Sequence, residues 1–235
     1  MPNALILFAA GFGTRMGALT QTQPKPLIKV AGRALLDHAL DLATPLALGP
    51  VVVNTHYLGE KIAAHLANRP EVQISHEAPD ILETGGGLRQ ALPLLGPGPV
   101  FAMNTDAIWR GPNPLQLARQ HWNPDKMDAL LVMLPRQNAI GHTGQGDFLA
   151  NDAGQLQRGP GLVYSGVQII NPVGISDIAE AAFSLNVLWD QMIARGRLFG
   201  VTYGGEWCDV GSPDGIAQAE ALLAKQPHAT GGGDD

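Results

Sequence analysis

Along the first 135 residues, short apolar runs alternate with stretches whose apolar residues recur every three or four positions. The runs are ALILFAA (4–10), PVVVNTH (50–56), VQISHE (72–77), PVFAMNTDA (99–107) and DALLVMLP (128–135). Between them lie ALLDHALDLA (34–43), GEKIAAHLA (59–67), LRQALPLL (88–95, after a triple glycine) and NPLQLARQHW (113–122). Short β-branched runs read as strands, and a 3.6-residue apolar period reads as an amphipathic helix. Strand–helix–strand order of this kind predicts the α/β class: a Rossmann-like, mainly parallel twisted sheet with helices on both faces. Ligands of such sheets sit outside the carboxyl ends of the strands. Gly11 to Arg15, Asn54 to His56, Glu83 to Gly87 and Asn104 to Asp106 all fall at or just past those ends, so they are expected to converge on one cleft.

The remainder changes character. Residues 143–172 read as strands joined by glycine turns, 185–196 as a helix, 197–203 as a strand and 206–225 as strand, turn and helix. Ser212 is expected to cap that last helix, with Pro213 in its first turn and Asp214 complementing its dipole. The expectation is one domain over residues 1–225, made of an α/β part, 1–135, and a small β-rich part, 136–225. Residues 226–235 read as a disordered tail.

Composition narrows the function. With 45% apolar and 15% charged residues the chain is globular, and its net charge of −6 comes without a basic stripe. Nucleic acid is therefore not an expected partner, because backbone phosphates need clustered Lys and Arg. The single cysteine, Cys208, fits a reducing compartment and alternates away from a strand's functional face. ALILFAA lacks a basic flank and runs straight into glycines, so it reads as a buried strand and not a signal segment. No run approaches a membrane span; the expected location is the cytoplasm.

The most informative stretch is LFAAGFGTRMGALTQTQPKPL (7–27). No Gly-Lys-Ser/Thr closes a P-loop, and the glycine after Gly11 and Gly13 comes one residue late for a dinucleotide fingerprint. What remains is Ala10, Gly11, Gly13, Thr14 and Arg15, with Lys25 between two prolines. Glycines let backbone N–H groups approach phosphate oxygens. Arg15 can grip two oxygens at once and Lys25 supplies a compact point charge. Asp106 and Asp209, each ending an apolar run, form a pair suited to holding a divalent cation against phosphates.

FAAGFGTRMGALTQTQPKPLIKVAGRALLDH resembles the signature of the sugar-1-phosphate nucleotidyltransferases. ETGGGLRQALPLL (83–95), AMNTD (102–106), YSGVQIINP (164–172) and WCDVGSP (207–213) match further landmarks of that family in order, to about residue 225. Within the family, the short length, ETGGGL and GQGDF look most like the N-acetylmuramate-1-phosphate uridylyltransferases of cell-wall recycling. The resemblance implies a nucleotidyltransferase, glycosyltransferase-A-like fold with Mg²⁺ on Asp106 and Asp209. It implies catalytic roles for Arg15 and Lys25. A nucleotide, most like UTP, would meet Asn54, Glu83, Thr84, Gly85, Gly86 and Asn104. A sugar 1-phosphate would meet Gly146, Asp147, Ser165 and Gly166, so that residues 1–135 would mainly bind the nucleotide and 136–225 would mainly bind the sugar and complete the metal site.

Two departures stand out. Gly17-Ala18 occupies the place of a residue followed by proline, and Thr105 the place of a glycine, which threatens to crowd the metal loop. Guanylyl-, thymidylyl- and cytidylyltransferase chemistry remain open at this point, as does a nucleotide-sugar sensor. The sensor is disfavoured because Arg15, Lys25, Asp106 and Asp209 are all present. A carboxylate on the sugar would look for a cation such as Arg136 or Arg158.

Overall fold

The computed structural model describes residues 1–225; the expected tail lies outside the described residues. In chain order the elements are β1 (Leu5–Phe8), β2 (Lys29–Val30), β3 (Arg33–Ala34), α1 (Leu35–Ala43), β4 (Val51–Thr55), α2 (Gly59–His65), β5 (Val72–His76) and α3 (Glu83–Leu95). They continue with β6 (Val100–Asn104), β7 (Ala107–Arg110), α4 (Pro114–His121), β8 (Ala129–Leu134), β9 (Ala139–Ile140), β10 (Phe148–Ala150) and β11 (Leu156–Arg158). The last are β12 (Val163–Ile170), α5 (Asn186–Ala194), β13 (Leu198–Thr202), β14 (Glu206–Asp209) and α6 (Pro213–Ala224).

Among the described residues the main sheet has seven strands in the order β13-β8-β12-β6-β1-β4-β5. β6, β1, β4 and β5 run parallel, as the strand–helix alternation predicts, and β13 is parallel to β8. The long β12 runs antiparallel to both β6 and β8, with a register shift between Tyr164 and Gln168. The sheet is therefore mixed, with a parallel core. Successive side chains of a strand face opposite ways. Leu5 and Leu7 pack with α1, α2 and α4, whereas Ile6 packs with α3 and α5. Each fully buried Leu or Ile of these layers contributes about 1.5–3 kcal/mol.

A three-stranded sheet, β7-β14-β9, lies beside the main one. Cys208, Val210 and Ile108 face α6 and form a third core with Met16 and Leu35, which places the cysteine in packing as its alternation suggests. The expected strand 99–107 is two strands: β6 ends at Asn104, and Ala107 opens β7 in the second sheet. The bend between them turns Thr105 and Asp106 out of both ladders, at the end of the parallel core.

Two local expectations need correction. The triple glycine does not precede a helix at 88–95; it lies inside α3, whose first residue Glu83 has a φ of 58°. Tertiary contact overrides weak helix propensity here: a Cβ at Gly85 would sit 2.3 Å from the Phe183 ring, and one at Gly86 2.5 Å from the Ala181 carbonyl. Ser212 stands at the N-terminal boundary of α6, but its side chain makes no capping hydrogen bond. Pro213 and Asp214 occupy the first turn as expected.

Candidate active site

The carboxyl ends of β1, β4 and β6 open into a cavity of about 320 Å³. Their relative positions are held by a buried polar chain. The Ala9 N–H donates to Asn54 Oδ1 (2.7 Å), Asn54 Nδ2 donates to Glu77 Oε1 (2.7 Å), and the Leu82 N–H donates to Glu77 Oε2 (2.7 Å). A fully buried carboxylate thus ties two strand ends to the start of α3, and each atom in the chain is satisfied. Sequence reasoning missed Glu77; its only signal was its place just past a strand end.

Ala10, Gly11, Gly13, Thr14, Arg15 and Lys25 line this cavity together with Asn54, Glu83, Thr84, Asn104 and Asp106. Asn54 forms part of the wall while both ends of its amide are engaged in the buried chain. Gly13 takes a left-handed φ of 65°, and a Cβ there would lie 2.9 Å from Thr20 and 3.0 Å from the β-carbon of Lys25. Only glycine lets the loop pack this closely against the lysine that follows it. Thr20 Oγ1 closes the same turn on the Gly13 and Gly17 carbonyls.

A second cavity, of about 400 Å³, adjoins the first. Asp147, Ser165, Gly166 and Asp209 line it, and Phe8, Arg15, Thr84, Asn104 and Asp106 belong to both walls. Gly166, at φ 87°, lets the irregular middle of β12 approach Asn104, where a Cβ would lie 3.0 Å from the amide. Asp147 Oδ2 accepts from the Tyr164 N–H (2.8 Å). Three of the expected residues are not on either wall. Gly85 and Gly86 face residues 181–183, and Gly146 packs on Gly161, with a Cβ position 2.3 Å from its carbonyl.

Opposite charges meet where the cavities join. Lys25 Nζ donates to Asp106 Oδ2 at 2.6 Å, and Arg15 Nη1 lies 3.7 Å from Asp209 Oδ2. The Lys25 side chain is 11% exposed and that of Arg15 68%, so one cation is fixed and the other is free to reach. Burial holds the Asp209 carboxyl above the usual carboxylate range, and the Asp106 charge adds to this; Lys25, Arg15 and His142 oppose it. Gly211 leaves room for the pair, since a Cβ there would stand 2.7 Å from both Arg15 Nη1 and Asp209 Oδ2. Burial also pushes the neighbouring Cys208 thiol up to about 11, with a further push from Asp209, in keeping with its place in the core under α6.

Thr105 lines the smaller cavity beside Asp106, with its side chain tied to the sheet. It is 3% exposed, and its hydroxyl donates to the Phe8 carbonyl at 2.8 Å, using its extra atoms to tie β6 to β1. The second cavity also holds Arg158, which the sequence offered as a cation, and residues that it did not single out: His142, Gln168, Trp189 and Trp207. His142 Nε2, Gln168 Nε2 and Trp207 Nε1 are buried with no hydrogen-bond partner among the described residues. Such atoms are costly unless a ligand or water meets them.

The MobA-like NTP transferase domain model matches residues 4–164. The chain is 40% identical to the N-acetylmuramate alpha-1-phosphate uridylyltransferase of Caulobacter vibrioides (strain ATCC 19089 / CIP 103742 / CB 15), with 95% of this chain and 98% of the relative covered. It is 32% identical to the protein of the same name from Neisseria meningitidis serogroup B (strain ATCC BAA-335 / MC58), over 94% of this chain and 97% of the relative. Among solved structures, HddC from Yersinia pseudotuberculosis complexed with GMP-PN superposes with a TM-score of 0.76 at 16% identity, covering 94% of this chain and 99% of that one. That likeness speaks for the fold alone.

Proposed function

Because this chain belongs to the sugar-1-phosphate nucleotidyltransferases, through a MobA-like NTP transferase domain over residues 4–164, we propose that it transfers UMP from UTP to N-acetylmuramate 1-phosphate. The products are the UDP-sugar and pyrophosphate. The observation that carries this choice of substrates is the 40% identity, over nearly the full length of both chains, to a uridylyltransferase for that sugar phosphate. A place in peptidoglycan recycling follows from the same substrate.

The smaller cavity, with its glycine loop, suits the nucleoside triphosphate, and the larger one the sugar 1-phosphate. An oxygen of the sugar phosphate attacks the α-phosphorus in line and pyrophosphate leaves from the opposite side. The nucleophile is already an anion, so no enzyme-bound intermediate or general base is required. Catalysis is then positioning plus stabilisation of charge on the equatorial and leaving oxygens. Lys25, fixed at the junction, meets the α-phosphate; Arg15, exposed and forked, meets the β- and γ-phosphates.

Asp106 and Asp209 fit Mg²⁺. They are close enough for the charge of one to raise the other, and their donors are hard carboxylate oxygens. Among the described residues no group of three His, Cys, Asp or Glu offers an all-protein metal cage. Mg²⁺ favours such a sparse site, completed by water and substrate phosphates. Bound there it supplies neutralisation of the charge on the transferring phosphates.

The test is pyrophosphate release with Mg²⁺, crossing UTP, dTTP, GTP, CTP and ATP with the 1-phosphates of N-acetylmuramate, N-acetylglucosamine, glucose and mannose. Turnover preferring UTP and the muramate sugar is the expected result. Preference for another pair would keep the chemistry and overturn the substrate assignment.

A further inference from the structure

We propose that Arg158 is the residue that selects a carboxylate-bearing sugar, by meeting the carboxylate of the lactyl ether that distinguishes N-acetylmuramate from N-acetylglucosamine. This rests on the substrate reading above and goes beyond it by locating the discrimination. The cationic side chains on the wall of the larger cavity are Arg15 and Arg158, besides His142. Arg15 stands at the phosphate junction and also lines the nucleotide cavity; Arg158 lines the sugar cavity alone. Arg136, the other cation that the sequence offered, is exposed and lines neither cavity.

The guanidinium is held as a built feature. It lies 4.7 Å from the Phe148 ring centroid and 5.6 Å from that of Trp189. Trp189 is fixed in turn by its indole N–H, which donates to Gln168 Oε1 at 2.9 Å. That bond sets the Gln168 amide, leaving its Nε2 as a donor with no partner among the described residues. Arg158 Nε and Nη2 both donate to the same oxygen, Asp190 Oδ1, at 3.0 and 2.8 Å. Nη2 also donates to the Asn186 carbonyl at 3.5 Å, whereas Nη1 makes no hydrogen bond among the described residues and is the nitrogen left for a ligand. The Asp190 partner is 63% exposed, and an ion pair that open to water holds its cation weakly. A planar fork stacked on aromatic rings is the arrangement that recognises carboxylates with defined geometry.

The same sugar without the lactyl arm provides the control. Steady-state kinetics with saturating UTP would compare N-acetylmuramate 1-phosphate with N-acetylglucosamine 1-phosphate for wild type, Arg158→Gln and Arg158→Lys, with melting temperature and circular dichroism to confirm the fold. In Arg158→Gln the kcat/KM ratio of muramate over glucosamine should fall by tenfold or more, through KM for the muramate sugar and not kcat. Arg158→Lys should recover part of it. An equal loss on both sugars, or an unaltered ratio, overturns the assignment of Arg158. Absence of muramate turnover by the wild type is a different outcome and overturns the substrate reading on which it stands.

Discussion

Lys25 and Asp106 are 81 positions apart in sequence and 2.6 Å apart in the structure, with the lysine side chain 11% exposed. A largely buried cation against the carboxylate proposed to hold the metal means that either residue serves both stability and chemistry. Removing one partner strands the other in a poorly solvated place. The second pair at the junction, Arg15 with Asp209, is looser at 3.7 Å, and its arginine is 68% exposed.

Lys25→Ala and Asp106→Ala should therefore each lower kcat by about 10²–10³ or more, in the range seen when a group stabilising the transition state is removed. Circular dichroism should show the fold retained. In thermal unfolding, a Lys25→Met, Asp106→Asn double-mutant cycle should show coupling of about 0.5–3 kcal/mol. Additive stabilities would mean that the 2.6 Å contact is energetically idle.

Asp209 carries a pH signature. Its folded pKa is raised by burial first and by Asp106 second. Over the interval between the ordinary aspartate value and that raised one, the folded protein binds more protons than the unfolded chain. Stability then falls as pH rises through the interval, and the full penalty applies above it. Asp209→Asn, in chelator and without nucleotide, should melt higher than wild type at neutral pH, with the gain vanishing in acid as both forms become neutral. The same variant should lose turnover. A variant that melts no higher at pH 7 than wild type would show that the carboxylate is not strained.

Gly85→Ala separates packing from ligand contact. Alanine is the better helix former by about 1 kcal/mol. Yet its Cβ would sit 2.3 and 2.4 Å from two carbons of Phe183 and 2.8 Å from the Phe183 carbonyl. Overpacking of this kind costs about 1–3 kcal/mol, so the melting temperature should fall by several degrees. Unchanged melting with weakened UTP binding would mean that the glycine serves the nucleotide and not the helix–loop contact.

Thr105→Val keeps the shape but loses the hydroxyl donated to the Phe8 carbonyl. The expected loss is about 1 kcal/mol, measured by denaturant unfolding, with Thr105→Ser restoring most of it. Equal stability of the valine and serine variants would remove the hydrogen bond as the reason for a threonine beside Asp106.

Much of the fold was legible in the chain. The runs that became β1, β4, β5, β6 and β8 and the helices α1, α2 and α4 were readable because apolar period and turn residues act over a few positions. The match of GFGTR and PKP to a phosphate-binding pattern was readable for the same reason: the glycines and prolines shape their own neighbourhood. The triple glycine misled because the same cue, weak helix propensity, is what lets Phe183 press against α3. Glu77 carried no signal beyond its place just past a strand end, and His142 carried none.

Residue types, their spacing and the strand ends were thus enough to assemble the parallel core, the glycine loop and the likeness to nucleotidyltransferases. The pairing of Lys25 with Asp106, the antiparallel insertion of β12, the division of the cleft into two cavities and the stacking of Arg158 on Phe148 and Trp189 came from the folded chain alone. The physical reason is range. Backbone periodicity and turn chemistry are settled between near neighbours, whereas an ion pair or a stacked guanidinium exists only after packing has brought distant segments together and removed the water between them.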